Sequence, residues 1–202
     1  MRIALRYLLF SALLVSASSC ANPSREALQI CGFSFDLEAS AFRLLSYDEA
    51  SCSAFVEIGM KSGVEETGSI IALNRPPEVA LPSLPSNFFI AADGSVSHRD
   101  PESVSDDKNF YYVDDIKALG NEKHSLPDHS RIELFKYRRT VTNIDQNGEE
   151  SSRAQACADI LKYSNRSTVL FAGCVDQSDG PSLYDRSLNL MRAAGTPDSN
   201  PE

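Results

Sequence analysis

The chain has no tryptophan, only three histidines and three methionines, and fewer basic residues (19) than acidic ones (28). The shortage of lysine and arginine argues against an electrostatic grip on nucleic acid or on anionic lipid, both of which attract basic proteins. The formal charge of −9 favours solubility, and it also favours a basic partner. Beyond the first twenty residues no apolar run approaches the roughly 20 residues of a membrane-spanning helix. Catalytic signatures are missing as well. There is no Gly-x-Ser-x-Gly elbow, no phosphate-binding glycine loop and no His-Glu-x-x-His pair.

The weaker chemical signals read as ordinary surface chemistry. His124 and His129 are separated by a stretch containing Pro127 and Asp128, which does not match a helical zinc pair, and His98 stands alone. The stretches Asp145-Gln146-Asn147-Gly148-Glu149 and 176–179 are rich in oxygen donors but lack the alternating ligand order of a calcium loop. Turn chemistry explains both. Asp114, Asp115 and Glu133 are dispersed carboxylates whose spacing argues for no catalytic pair. No catalytic residue, metal site or cofactor is therefore assigned.

The informative stretch is the first. Arg2 and Arg6 give a positive start, residues 8–15 form a short apolar core, and small residues follow. These are the marks of a removed export signal. The run Ala17-Ser18-Ser19-Cys20 resembles the lipobox of bacterial lipoprotein precursors. The resemblance is confined to these twenty residues, and the mature domain matches no family motif. It implies that Cys20 is lipidated with acyl chains such as palmitate and becomes the mature N-terminus. Ala21 after the cysteine, rather than aspartate, implies the periplasmic face of the outer membrane. Ala17 stands where a branched residue is usual, which leaves open cleavage after Ala21 and a soluble periplasmic or secreted product. Removal of residues 1–19 takes away Arg2 and Arg6 and so lowers the formal charge from −9 by two, to −11.

Five cysteines leave one unpaired in an oxidising compartment. If Cys20 carries lipid, Cys31, Cys52, Cys157 and Cys174 remain for two disulfides. Local geometry chooses between the pairings. A two-residue loop at Asn165-Arg166 places Ser164 opposite Ser167. Stepping outward equally along both strands then brings Cys157 opposite Cys174, Leu161 opposite Leu170 and Ile160 opposite Phe171. A non-hydrogen-bonded pair has Cα atoms about 4.5 Å apart, at the short end of what a disulfide accepts. Cys31 then pairs with Cys52 by elimination.

The remaining pattern predicts strands over 28–37, 54–60, 69–73, 88–91 and 110–113, with a further apolar segment at 41–45. Pro76, Pro77, Pro82 and Pro85 predict extended chain, and Leu81, Leu84, Phe88 and Phe89 read as core residues or as a binding arm. A helical turn is expected near 116–119. Strands follow at 131–144, 152–163 and 167–175, with a tight turn at Asn147-Gly148. A helix capped by Ser182 buries Leu183, Tyr184, Leu188, Met191 and Ala194 and stops at Gly195 and Pro197.

The expected fold is α+β: a mainly antiparallel sheet, a C-terminal helix packed on it, and two disulfides. The expected organisation is a signal at 1–19, a tether at 20–26, one domain at 27–195 with irregular loops at 61–108, and a disordered tail at 196–202. Setting, size and charge predict a non-enzymatic periplasmic lipoprotein, an inhibitor or immunity protein that neutralises a toxic or hydrolytic envelope enzyme. A structural or assembly lipoprotein of the envelope is the second reading, and an exported hydrolase with a dispersed site is the third.

Overall fold

The computed structural model describes residues 27–61, 64–99, 104–105, 112–144 and 147–195. The export signal, Cys20, the tether, Phe110, Asp145, Gln146 and the tail from 196 lie outside the described residues. The elements in chain order are β1 (Leu28–Ile30), β2 (Phe33–Phe35), β3 (Arg43–Asp48), β4 (Ser53–Lys61), β5 (Val64–Leu73), α1 (Pro77–Ala80), β6 (Phe88–Ile90) and β7 (Val96–His98). They continue with β8 (Val104–Ser105), β9 (Tyr112–Ser125), β10 (Arg131–Ile144), β11 (Glu150–Tyr163), β12 (Thr168–Asp176) and α2 (Gly180–Ala193). No helix among the described residues is long and apolar enough to cross a membrane.

Among the described residues, eight strands form one antiparallel sheet in the order β3-β4-β5-β12-β11-β10-β9-β8. It consists of two meanders joined where β5 meets β12, from Leu73 opposite Thr168 to Gly68 opposite Gly173. Both faces are covered at its centre. On the first face, α2 and the β1–β2 hairpin bury Ile30, Phe33, Phe35, Leu183, Leu190 and Met191 against Val56, Ile70, Leu134, Ile160 and Phe171. On the second, Leu81, Phe88 and Val96 pack on Phe135, Leu161 and Leu170. This explains the adjacent apolar pairs Leu134-Phe135, Ile160-Leu161 and Leu170-Phe171. Successive side chains point to opposite faces, and here both faces need apolar groups.

Gly68 and Gly173 sit opposite each other under Ile58, where an added Cβ would meet the Ile58 Cδ1 at 2.9 Å and 2.5 Å. Their lack of side chains lets Ile58 lie flat on the sheet. At the start of α2, a Cβ on Gly180 would stand 2.6 Å from the Cβ of Ala156, so glycine permits the helix to approach β11.

Both expected disulfides are present. Cys157 and Cys174 lie opposite each other with Cα atoms 4.1 Å apart. The Ser164 amide donates to the Ser167 carbonyl at 2.9 Å, closing the two-residue turn, and Leu161 and Ile160 face Leu170 and Phe171. Cys31 and Cys52 join the first hairpin turn to the β3–β4 turn, with Cα atoms 5.6 Å apart.

Several local expectations are overturned. The run 28–37 is a hairpin rather than one strand, because Cys31 (φ 48°) and Gly32 (φ 86°) turn the chain while both arms stay buried. The segment 61–108 holds more regular structure than expected. Pro77 and Pro82 begin helical turns, where a missing N–H costs nothing, instead of extending the chain. Leu81 and Phe88 are buried core residues, as the first of the two readings of that segment expected, whereas Val96 pairs with Ile90 instead of lying in an irregular loop. The expected turn near 116–119 is strand. β9 pairs with β10 along its length, and Gly120 (φ 137°) with a register shift at Lys136/Tyr137 breaks the alternation that marks a strand in sequence. Finally, α2 starts at Gly180 with Pro181 in its first turn, so Ser182 lies inside the helix and does not cap it.

Candidate protein-binding edge

The groups that the sequence offered as chemical candidates are dispersed. His98 stacks on Phe135 with ring centroids 4.1 Å apart. His124 lies 3.4 Å from the Glu122 carboxylate and 3.5 Å from the Arg192 guanidinium. His129 sits in the β9–β10 turn at φ 63°, its amide donating to the Leu126 carbonyl. Glu133 is buried, 3.1 Å from the Lys123 amine, and accepts from the Tyr163 hydroxyl at 3.3 Å. Asp115 is opposite Thr140, far along β10 from Glu133, so these carboxylates form no pair. Among the described residues no group of three or more His, Cys, Asp or Glu side chains converges as metal ligands would. The four described cysteines are joined in disulfides.

Three buried ionisable groups, which the sequence reading did not single out, tie elements together. Asp159, on the second face, accepts from the Asn87 amide at 2.9 Å and from the Tyr137 hydroxyl at 3.3 Å. Burial pushes its pKa up to about 6, against the lowering effect of those two donors. The link holds the 84–99 segment onto the sheet. Lys162 donates to the Ala194 carbonyl at 2.7 Å at the end of α2, and burial pulls its amine below the usual range. Glu66 accepts from the Asp176 amide at 2.5 Å and from Arg153 at 3.3 Å, joining the ends of β5 and β12. Each ties one element to its neighbour, a positioning role.

The unusual surface is at the β3 edge. All six residues of β3 are exposed. Leu44, Leu45 and Tyr47 on this strand, with Phe55 on β4, are exposed by 36%, 38%, 58% and 55%. Beyond them, only Val79 and Leu119 are large exposed hydrophobic residues among those described. Leu44 and Tyr47, opposite Val56 and Ala54, face the first side and Phe55 the second, and both sides are exposed because both covering layers stop short. Val56 and Ile58 of β4 face the first core, whereas Phe55 faces the second side, outside the reach of the layer that carries Leu81, Phe88 and Val96. A bulge between Leu44 and Ser46 leaves Leu45 without a partner on β4.

Acidic residues flank β3 in the sequence. Asp36 and Glu38 precede β3, and Asp48 and Glu49 end it. Asp48 is held below the usual carboxylate range by the Ser51 hydroxyl and the Ala50 amide. The one basic residue of the strand, Arg43, is bound to Glu57. The signal was present in the sequence as an apolar segment at 41–45 followed by Tyr47, but such a segment ordinarily reads as core. A second concave surface, a groove of about 650 Å³, lies where the β9–β10 and β11–β12 turns meet α1 and includes His129, Arg131 and Tyr163.

The chain matches no protein-family model, and no curated protein is similar to it in sequence.

Proposed function

We propose that the chain is a non-enzymatic, protein-binding lipoprotein of a bacterial envelope. It is held at the periplasmic face of the outer membrane through Cys20 and acts as an inhibitor or immunity protein against a basic toxic or hydrolytic envelope enzyme. The observation that carries the reading is the exposed apolar pair Leu44 and Tyr47 on one face of β3, an edge strand among the described residues, with Phe55 exposed on the other face of β4. Clustered apolar residues rimmed by polar ones mark interaction surfaces more often than scattered ones do. The acidic balance supports a basic partner, because opposite charge raises the rate of encounter. Two disulfides and a sheet covered on both central faces supply a preorganised scaffold, which reduces the ordering cost of binding.

The test is a pull-down of the full chain from its native envelope with identification of what is retained. A stoichiometric basic enzyme whose toxicity or hydrolysis is blocked by the chain supports the proposal. Recovery of no protein partner overturns it. Recovery of a multi-subunit envelope assembly that fails when the chain is deleted replaces it with the assembly reading.

A further inference from the structure

Resting on that reading, we infer that the partner docks by adding a basic β-strand to the outer edge of β3. Among the described residues β3 has a hydrogen-bonded neighbour on one side only, β4. Alternate N–H and C=O groups along its other side therefore face outward, the template that strand addition uses. Natural proteins defend such edges with lysines, bulges, glycines or covering segments. The opposite edge is so defended. β9 carries Lys117 and a register shift beside Gly120, and β8 covers part of it at Val104 and Ser105. On β3 the bulge at Leu44/Ser46 is present, but the single cation, Arg43, is bound to Glu57.

The chemistry of the occupant follows from the flanks. Backbone pairing along β3 would bring one face of an incoming strand beside Leu44 and Tyr47 and its other face beside Ser46 and Asp48. One end of that strand would meet Asp48, exposed at the end of β3, and Glu49, which follows it. An alternating apolar and basic strand satisfies both the pleat and the charge. A second copy of this chain fits less well, because each copy brings a formal charge of −9 and the same acidic turns.

The test uses the full chain in detergent with two capped octapeptides, one alternating Val with Lys and the other Val with Glu. Amide hydrogen exchange is followed residue by residue. The Val-Lys peptide should slow exchange in Arg43–Asp48 at least tenfold, and the Val-Glu peptide should not. The double substitution Leu44→Lys with Tyr47→Lys should weaken binding of the Val-Lys peptide at least tenfold, whereas Leu119→Lys on β9 should leave it unchanged. Protection of β9 instead, protection by both peptides, or no protection overturns the inference. So does protection of β3 without peptide that grows with protein concentration, which would identify a second copy as the occupant. The envelope pull-down separates the two levels. A basic partner that binds while leaving β3 amides unprotected removes only the strand-addition inference. Peptide protection of β3 without any envelope partner removes only the functional reading.

Discussion

Replacing Asp159 with Asn should make the protein more stable near neutral pH, and the gain should grow with pH in a defined window. Asp159 is 4% exposed between the sheet and the 84–99 segment. Burial disfavours its charged form, and the donors Asn87 and Tyr137 only partly offset this, so its pKa rises from the ordinary 3.8 to about 6. The folded state therefore holds the proton more tightly than the unfolded state. The stability that this proton contributes is complete below about pH 4, falls as pH rises, and is gone above about pH 6. A rise of about two pKa units corresponds to a loss of about 3 kcal/mol across that window. Asn has the same shape and does not ionise, and its carbonyl still accepts from Asn87. Urea unfolding of both proteins from pH 3.5 to 8 isolates this group, because the other carboxylates are common to both. The variant's advantage should grow by up to about 3 kcal/mol between pH 4 and pH 7. That corresponds to a midpoint difference of roughly 1–3 M urea for a slope of 1–3 kcal/mol/M. A difference that stays flat with pH, or shrinks as pH rises, would refute the account of Asp159 as a buried carboxylate that costs stability when charged.

Three further outcomes test other parts of the structure. The double substitution Cys157→Ser with Cys174→Ser opens a bridge of sequence separation 17 and should cost about 3 kcal/mol by the chain-entropy relation, read from urea midpoints under oxidising conditions. Gly173→Ala should cost about 1–3 kcal/mol by overpacking against Ile58 Cδ1. Adding Ile58→Val removes that atom and should recover part of the loss in a double-mutant cycle; strictly additive costs would show that the contact is not the cause. Cys20→Ser should release the protein from membranes in a fractionation experiment, and retention would place the anchor elsewhere.

How much of this was legible beforehand depended on whether the controlling interactions were local. The β10–β11–β12 meander could be read directly. Long apolar segments mark its strands, and the two-residue Asn165-Arg166 loop sets the β11–β12 register, in which one correct pair implies all the others. The expected two-residue turn at Asn147-Gly148 is overturned, since it would place Ile144 opposite Ser151, whereas Ile144 lies opposite Glu150 and only Gly148 of the two has positive φ. The opposition of Cys157 and Cys174 follows from the β11–β12 register. Helix α2 was visible from its apolar spacing, although its start was misplaced because Pro181, not Ser182, governs the first turn. β9 was obscured because its bulge and Gly120 break the two-residue period, and its partner β10 supplies the order that local preference does not. The 76–99 segment was misread for the opposite reason. Its prolines look like breakers in sequence, yet at the first positions of helical turns they are well placed, and Leu81 and Phe88 then cover the second face of the sheet.

The acidic balance, the antiparallel C-terminal strands, the helix that follows them and the pairing of the four cysteines can be read from the order of residues. These depend on composition, side-chain period and turn length, all of which are written in neighbouring residues. Only the tertiary structure decided which apolar residues are buried. Leu44, Leu45 and Phe55 are no less apolar than Val56 or Phe171. They remain exposed because β3 falls at the end of the strand order and both covering layers stop before it. Burial is a property of what lies opposite a residue, and that is set by the whole arrangement of the chain.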